Sequence, residues 1–111
     1  MSIEQSLDAE LATNDPELLR HKINLETASL AWKEVERFFA TGHLIRVASG
    51  VDLVDVALAM SQDDAATLKG WMDAKVVEAL PDSEAAQWAE SNAELWAVVV
   101  KPWVLVQFKG E

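Results

Sequence analysis

Cysteine is absent from this chain of 111 residues. That excludes disulfides, thiolate zinc sites and a cysteine nucleophile. Histidine is scarce: His21 sits between Arg20 and Lys22, and His43 opens an apolar run. Neither an i,i+4 histidine pair nor H-E-x-x-H is present to hold a metal. The four glycines are scattered, so there is no glycine-rich phosphate loop, and no G-x-S-x-G frames a nucleophilic serine. Serines and aspartates are available, but no spacing favours a hydrolytic triad. Bases are few as well, nine against nineteen acids, for a net charge of −10. Phosphate binding needs clustered Lys and Arg, which disfavours nucleic acid. No apolar stretch reaches the about 20 residues that a spanning helix needs. The acidic start M-S-I-E-Q-S-L-D-A-E lacks the basic and apolar parts of a secretion signal. The expectation is a cytoplasmic, non-enzymatic protein with no cofactor and no membrane contact.

What is present makes a core. Half of the residues are apolar and a quarter are charged, the ordinary shares of one globular domain. The charge is uneven. Residues 1–50 carry eight acids and five bases, whereas residues 51–94 carry ten acids and two bases, Lys69 and Lys75. An acidic block is usually a solvated face. Read functionally, Asp55, Asp63, Asp64 and Asp73 form a docking surface for a basic partner. A divalent-cation or small-molecule site built from Asp52, Asp55, Asp63 and Asp64 is an alternative, although three of these also stand at expected helix starts. The one basic cluster, Arg20, Lys22, Lys33, Arg37 and Arg46, suits an acidic surface on another subunit.

The densest apolar stretch is Glu94–Phe108, E-L-W-A-V-V-V-K-P-W-V-L-V-Q-F. It barely alternates, so as strand it is buried on both faces. Unbroken, it would extend roughly 46 Å at the usual rise per residue, against a diameter of about 34 Å for a domain of this size. Pro102 cannot donate to a ladder and marks the break. Two strands are expected, continuous but kinked, with self-association through this C-terminal strand as one form of partner contact.

Upstream, residues 1–13 read as a weakly helical arm, and Asn14-Asp15-Pro16 starts a short helix. Leu25, Ala28, Trp32, Val35 and Phe39 recur at steps of three and four, which predicts one helix from Asn24 to Phe39. Gly42 stops it. His43–Ala48 and Val76–Leu80 read as short strands. Asp52 caps a helix carrying Leu53, Val56, Ala57 and Met60. Ser61 and Asp64 match a capping box, opening a helix with Ala65, Leu68 and Met72 inward and Trp71 beside them. Gly70 there signals a close contact or a weak helix. A further helix from Asp82 or Ser83 to Asn92 turns Ala85, Trp88 and Ala89 inward.

The predicted fold is α+β: a single compact domain of three to five helices on a small, mainly antiparallel sheet, over residues 24–108, with an arm at 1–23 and a tail at 109–111. The order of elements is winged-helix-like, which makes a nucleic-acid-binding regulator a further alternative. However, residues 52–75 carry five aspartates and two lysines, a poor match to phosphate. Among the five tryptophans, Trp32, Trp71 and Trp88 sit on helix stripes. Trp96 and Trp103 point to opposite faces if the pairing is regular, and to one face if it is bulged. Together with Phe108 they are the candidate contact surface, since tryptophan is a favoured interface anchor.

Four segments carry a resemblance: L-E-T-A-x-x-x-W-K-E-x-E-R-F-F from Leu25, D-L-V-D-V-A-x-A from Asp52, Asp63-Asp64, and E-L-W-A-V-V-V-x-P-W-V-L-V-Q from Glu94. They resemble the family of small bacterial proteins catalogued as domain of unknown function 2288. The likeness spans about residues 20–107, and the tail around Trp96, Pro102, Trp103 and Gln107 is its most specific part. It implies a stand-alone bacterial protein of this size, assigns no activity, cofactor or catalytic residue, and leaves function open. From the residues themselves, a small protein-interaction module is the expected function.

Overall fold

The structure, a computed structural model, describes residues 16–110. Helix α1 (Pro16–Glu26) leads into β1 (Ala28–Ala31), α2 (Trp32–Ala40), β2 (Leu44–Val47), α3 (Leu53–Ser61) and α4 (Ala65–Asp73). Then come β3 (Val77–Ala79), α5 (Asp82–Ser91), β4 (Glu94–Val100) and β5 (Trp103–Phe108). The strands form one sheet in the order β1-β4-β5-β2-β3. Only β2 and β5 run parallel; the other three pairs are antiparallel. The domain is α+β with a mainly antiparallel sheet, as its sequence indicates.

Two helical layers sandwich this sheet, and the C-terminal run explains why. Along β5, Val104 and Val106 point to one face and join Trp32 and Val35 of α2 and Ala85 and Trp88 of α5. Leu105, between them, points to the other face and meets Ile23 of α1 and Leu53, Val56 and Ala57 of α3. The consecutive residues Val104, Leu105 and Val106 are therefore all buried, and this part of the run needs no polar alternation, whereas Trp96, Val99 and Phe108 stay exposed. Leu44, Leu95, Leu105 and Val98 are almost fully buried, each contributing about 1.5–3 kcal/mol by removal from water.

The break at Pro102 falls where expected, but the two strands are not one kinked ribbon. Lys101 and Pro102 form a two-residue loop, and β5 folds back antiparallel on β4 with Val100 opposite Trp103 and Leu95 opposite Phe108. A hairpin shortens the run to fit the domain and gives each strand a partner.

Several local expectations hold. Gly42 adopts a left-handed conformation after α2 (φ 80°). Asp52 caps α3 by accepting from the Val54 N–H at 2.9 Å. Others change. The single helix expected from Asn24 to Phe39 is two helices separated by β1. Thr27 closes α1, its Oγ1 donating to the Ile23 carbonyl at 2.8 Å. Residues 28–31 then pair with residues 97–94 of β4. A ladder partner distant in sequence overrides a helical period that these small residues also satisfy.

The capping box at Ser61 does not form, because Ser61 ends α3. Asp63 takes a left-handed conformation (φ 54°) in the turn, and Asp64 alone caps α4, accepting from the Thr67 N–H at 3.2 Å. On α4, Leu68 and Trp71 face the core and are half-buried, while Met72 is 56% exposed rather than inward.

Candidate interaction surface

The arm boundary expected at residue 23 falls within α1, whose Ile23 is buried against Val98 and α3. Residues 1–13, expected to be weakly helical, and Asp15, expected to cap α1, lie outside the described residues. Lys109, expected in the tail, donates its N–H to the Glu94 carbonyl at 3.2 Å.

The expected acidic group is divided. Asp52 and Asp55 stand at the start of α3, Asp63 and Asp64 beyond its end, and Asp73 at the end of α4. The nine residues of α3 separate the two pairs by about 13 Å along the axis, so they do not converge on one cation. Asp55 accepts a hydrogen bond from Arg20, and Asp52 lies 3.9 Å from the same guanidinium. The Asp55 hydrogen bond, aided by both negative charges, holds the Arg20 guanidinium above its usual range. Asp73 pairs with Lys69 at 2.9 Å. Among the described residues, no three His, Cys, Asp or Glu are placed to hold a metal ion.

The basic cluster is divided as well. Arg20 and Lys22 lie on α1, on one side of the sheet, and Lys33 and Arg37 on α2, on the other. Arg37 covers the Phe38 ring at 4.8 Å. Arg46, mostly buried on β2, pairs with Glu78, faces Glu84 at 3.4 Å and donates to the Lys75 carbonyl at 3.0 Å. Its charge is spent inside the fold, and no continuous basic stripe results.

The three aromatic candidates occupy different places. Phe108 stacks on Trp88 at 6.2 Å, on the α2/α5 face. Trp103 lies on the opposite face, edge-on to His43 at 5.6 Å. Trp96 faces the same way as Trp103, because it pairs with Gln107, four residues along β5 from Trp103. The hairpin thus puts both tryptophans on one face, but about 13 Å apart along the strands.

The C-terminal strands are interior. Both edges of β4 and of β5 are already paired, so strand addition through the C-terminal strand, as expected for self-association, is closed. The sheet ends instead at β3, where Val77 is 2% exposed, and at β1. The β1 ladder has a defined phase. Trp32 N–H donates to the Ala93 carbonyl at 2.9 Å, so Leu30 and Ala28 share its hydrogen-bonded parity with β4. Ser29 and Ala31 therefore turn their peptide groups outward. The Ala31 N–H is taken by Glu34 Oε2 at 3.0 Å. Ser29 keeps both its N–H and C=O at the open edge, and no charged residue or proline lies in β1 to block an incoming strand.

Trp96 sits directly opposite Ser29 in the ladder and is 41% exposed. Lys109 Nζ lies 4.5 Å above its ring and donates to Ser29 Oγ at 2.9 Å. Ser29 Oγ in turn donates to Glu94 Oε1 at 3.2 Å. Lys109 thus covers one face of the ring, and the tryptophan stays exposed. Beside it runs an open cleft of about 410 Å³, lined by Ser49, Gly50, Val51, Asp52, Gln107 and Lys109 among others. Gln107 fixes the wall of this cleft: its Nε2 donates to the carbonyls of Ala48 at 2.9 Å and Val51 at 2.5 Å. Asp52 also borders a second cleft, of about 390 Å³, with Arg20, His21 and Asn24. Ser29, Gln107 and Lys109 were not singled out as contact residues from sequence. Of these, only Gln107 carried a signal, as an isolated polar residue in an apolar run.

No described helix is long and apolar enough to cross a membrane. A family model described as "Protein of unknown function (DUF2288)" matches residues 18–108. The NMR solution structure of PA1075 from Pseudomonas aeruginosa is 38% identical, with the match covering 84% of this chain and 86% of that one at a TM-score of 0.75. No curated protein matches the chain.

Proposed function

Because the chain belongs to this family of unknown function, we propose its role from its own surface: a small cytoplasmic module that acts by protein contact rather than catalysis. The docking surface is the open edge of β1 together with Trp96. One observation carries this reading: Ser29 presents an unpaired N–H and C=O at the sheet edge, directly beside an exposed tryptophan whose ring Lys109 covers on one face. An edge strand supplies main-chain hydrogen bonds to an extended segment of a partner, and a neighbouring tryptophan supplies the anchor. A second copy of the chain is one such partner, joining β1 to β1 across a two-fold axis.

The test is capture of partners from a bacterial lysate, with nuclease added, using the parent and three variants. Ser29→Pro removes the outward donor without touching the β4 ladder, and Trp96→Ala removes the anchor. Glu90→Gln, on the far helical layer, is the control. A stoichiometric protein retained by parent and control but lost from both surface variants supports the proposal. Equal retention by all four rejects the surface. Sedimentation velocity on the same proteins reads self-association directly.

A further inference from the structure

Away from Trp96, at the hairpin end of the same sheet face, a cavity of about 230 Å³ lies beneath α4. Ile45, Met60, Leu68, Met72, Val77 and Trp103 line it, and Glu78 is the only charged residue among those lining it. The Glu78 carboxylate is occupied by Arg46, and the nearest base on α4, Lys69, is paired with Asp73. The lining therefore offers no free charge to a ligand of either sign.

Its cover is thin. No residue of α4 is fully buried, and Leu68 and Trp71 alone pack it onto the core. Gly70 is not there for a close contact, since a Cβ at that position would meet nothing within 4 Å; it weakens the helix instead. Met72 is 56% exposed and lines the cavity, so it stands where the cavity meets solvent. Two methionines in the wall let it adapt to the shape of what enters.

We propose that this cavity is a binding site for a small, uncharged apolar molecule of fused-bicyclic size. The size follows from volume: an apolar cavity of about 150 Å³ holds benzene, and this one is about half as large again. The absence of charge follows from the lining, where an ionised group would lose its water without gaining a partner.

Indole is the probe, with indole-3-carboxylate as the charged comparator. Each is titrated to millimolar concentration against protein labelled at its methionine methyl groups and tryptophan indoles, and followed by NMR. Indole shifts the resonances of Met60, Met72 and Trp103 and leaves those of Trp32 and Trp88, on the other side of the sheet, in place. The carboxylate binds at least about tenfold more weakly. Leu68→Trp fills the cavity from within, abolishing the indole shifts while cooperative unfolding is retained. Should that variant not fold, Met72→Gln at the mouth weakens indole binding about tenfold. Unmoved Met60 and Met72 resonances, equal binding of the carboxylate, or indole shifts that persist in the folded Leu68→Trp variant would each overturn the proposal.

Discussion

Gln107 is the residue whose removal tests most directly how the Trp96 surface is built. Its side-chain amide donates to two carbonyls, Ala48 at 2.9 Å and Val51 at 2.5 Å, from near the end of β5 to a loop. Gln107→Ala removes both bonds: the Ala48 carbonyl keeps the Val51 N–H at 3.2 Å, and the half-buried Val51 loses the Gln107 donor to its carbonyl. At about 0.5–1.5 kcal/mol for each bond, the cost is about 1–3 kcal/mol. For a domain of this length the unfolding entropy is on the order of 230 cal/mol/K, so the melting temperature falls by about 4–13 °C. Gln107→Glu falls at least as far at neutral pH, because it sets a carboxylate against two carbonyl oxygens. Circular dichroism during thermal unfolding measures both, with urea midpoints as a check on two-state behaviour. If Gln107→Ala melts within about 1 °C of the parent, the loop is not held by this residue and the cleft beside Trp96 has another origin.

Leu105→Ala, at a fully buried site between the sheet and α3, should cost about 2–5 kcal/mol in urea titrations; a loss under about 1 kcal/mol would contradict burial of β5 on both faces. Gly70→Ala should raise stability by about 1 kcal/mol, as nothing lies within 4 Å of the new Cβ; a lower melting temperature would show a neighbour at that position. Asp64→Ala should cost about 1 kcal/mol and Ser61→Ala much less, since Asp64 alone caps α4; the reverse order would restore the capping box.

Features set by near neighbours were legible beforehand. Asp52 precedes an apolar helix and caps it, Gly42 follows one and turns left-handed, and Pro102 interrupts a strand where its missing N–H is harmless. The failure at Ala28–Ala31 has an equally physical cause. Ala-Ser-Leu-Ala suits a helix period and an edge strand alike, and only the β4 ladder decides between them. Ser61 failed for a related reason: two cap residues three apart can each open a helix, and packing of α3 chose the later one.

The candidate contact surface was legible in part. Trp96 stood out by type, but its exposure did not, because Trp32 and Trp88 have similar apolar neighbours and are 4% exposed. The acidic and basic groups suggested by charge density came apart, since helices carry neighbours in sequence to opposite ends of α3 and to opposite faces of the sheet.

By itself, then, the sequence determined the cap at Asp52, the stop at Gly42, the break at Pro102 and the burial of the middle of β5 on both faces, all of which depend on residues within a few positions of one another. Only the tertiary structure decided that β1 is a strand, that β5 lies parallel to β2, and that Ser29, Trp96 and Lys109 form one surface. Those contacts join residues as many as 80 positions apart. Separations of that kind leave no period in the chain, because they are selected by how the layers pack.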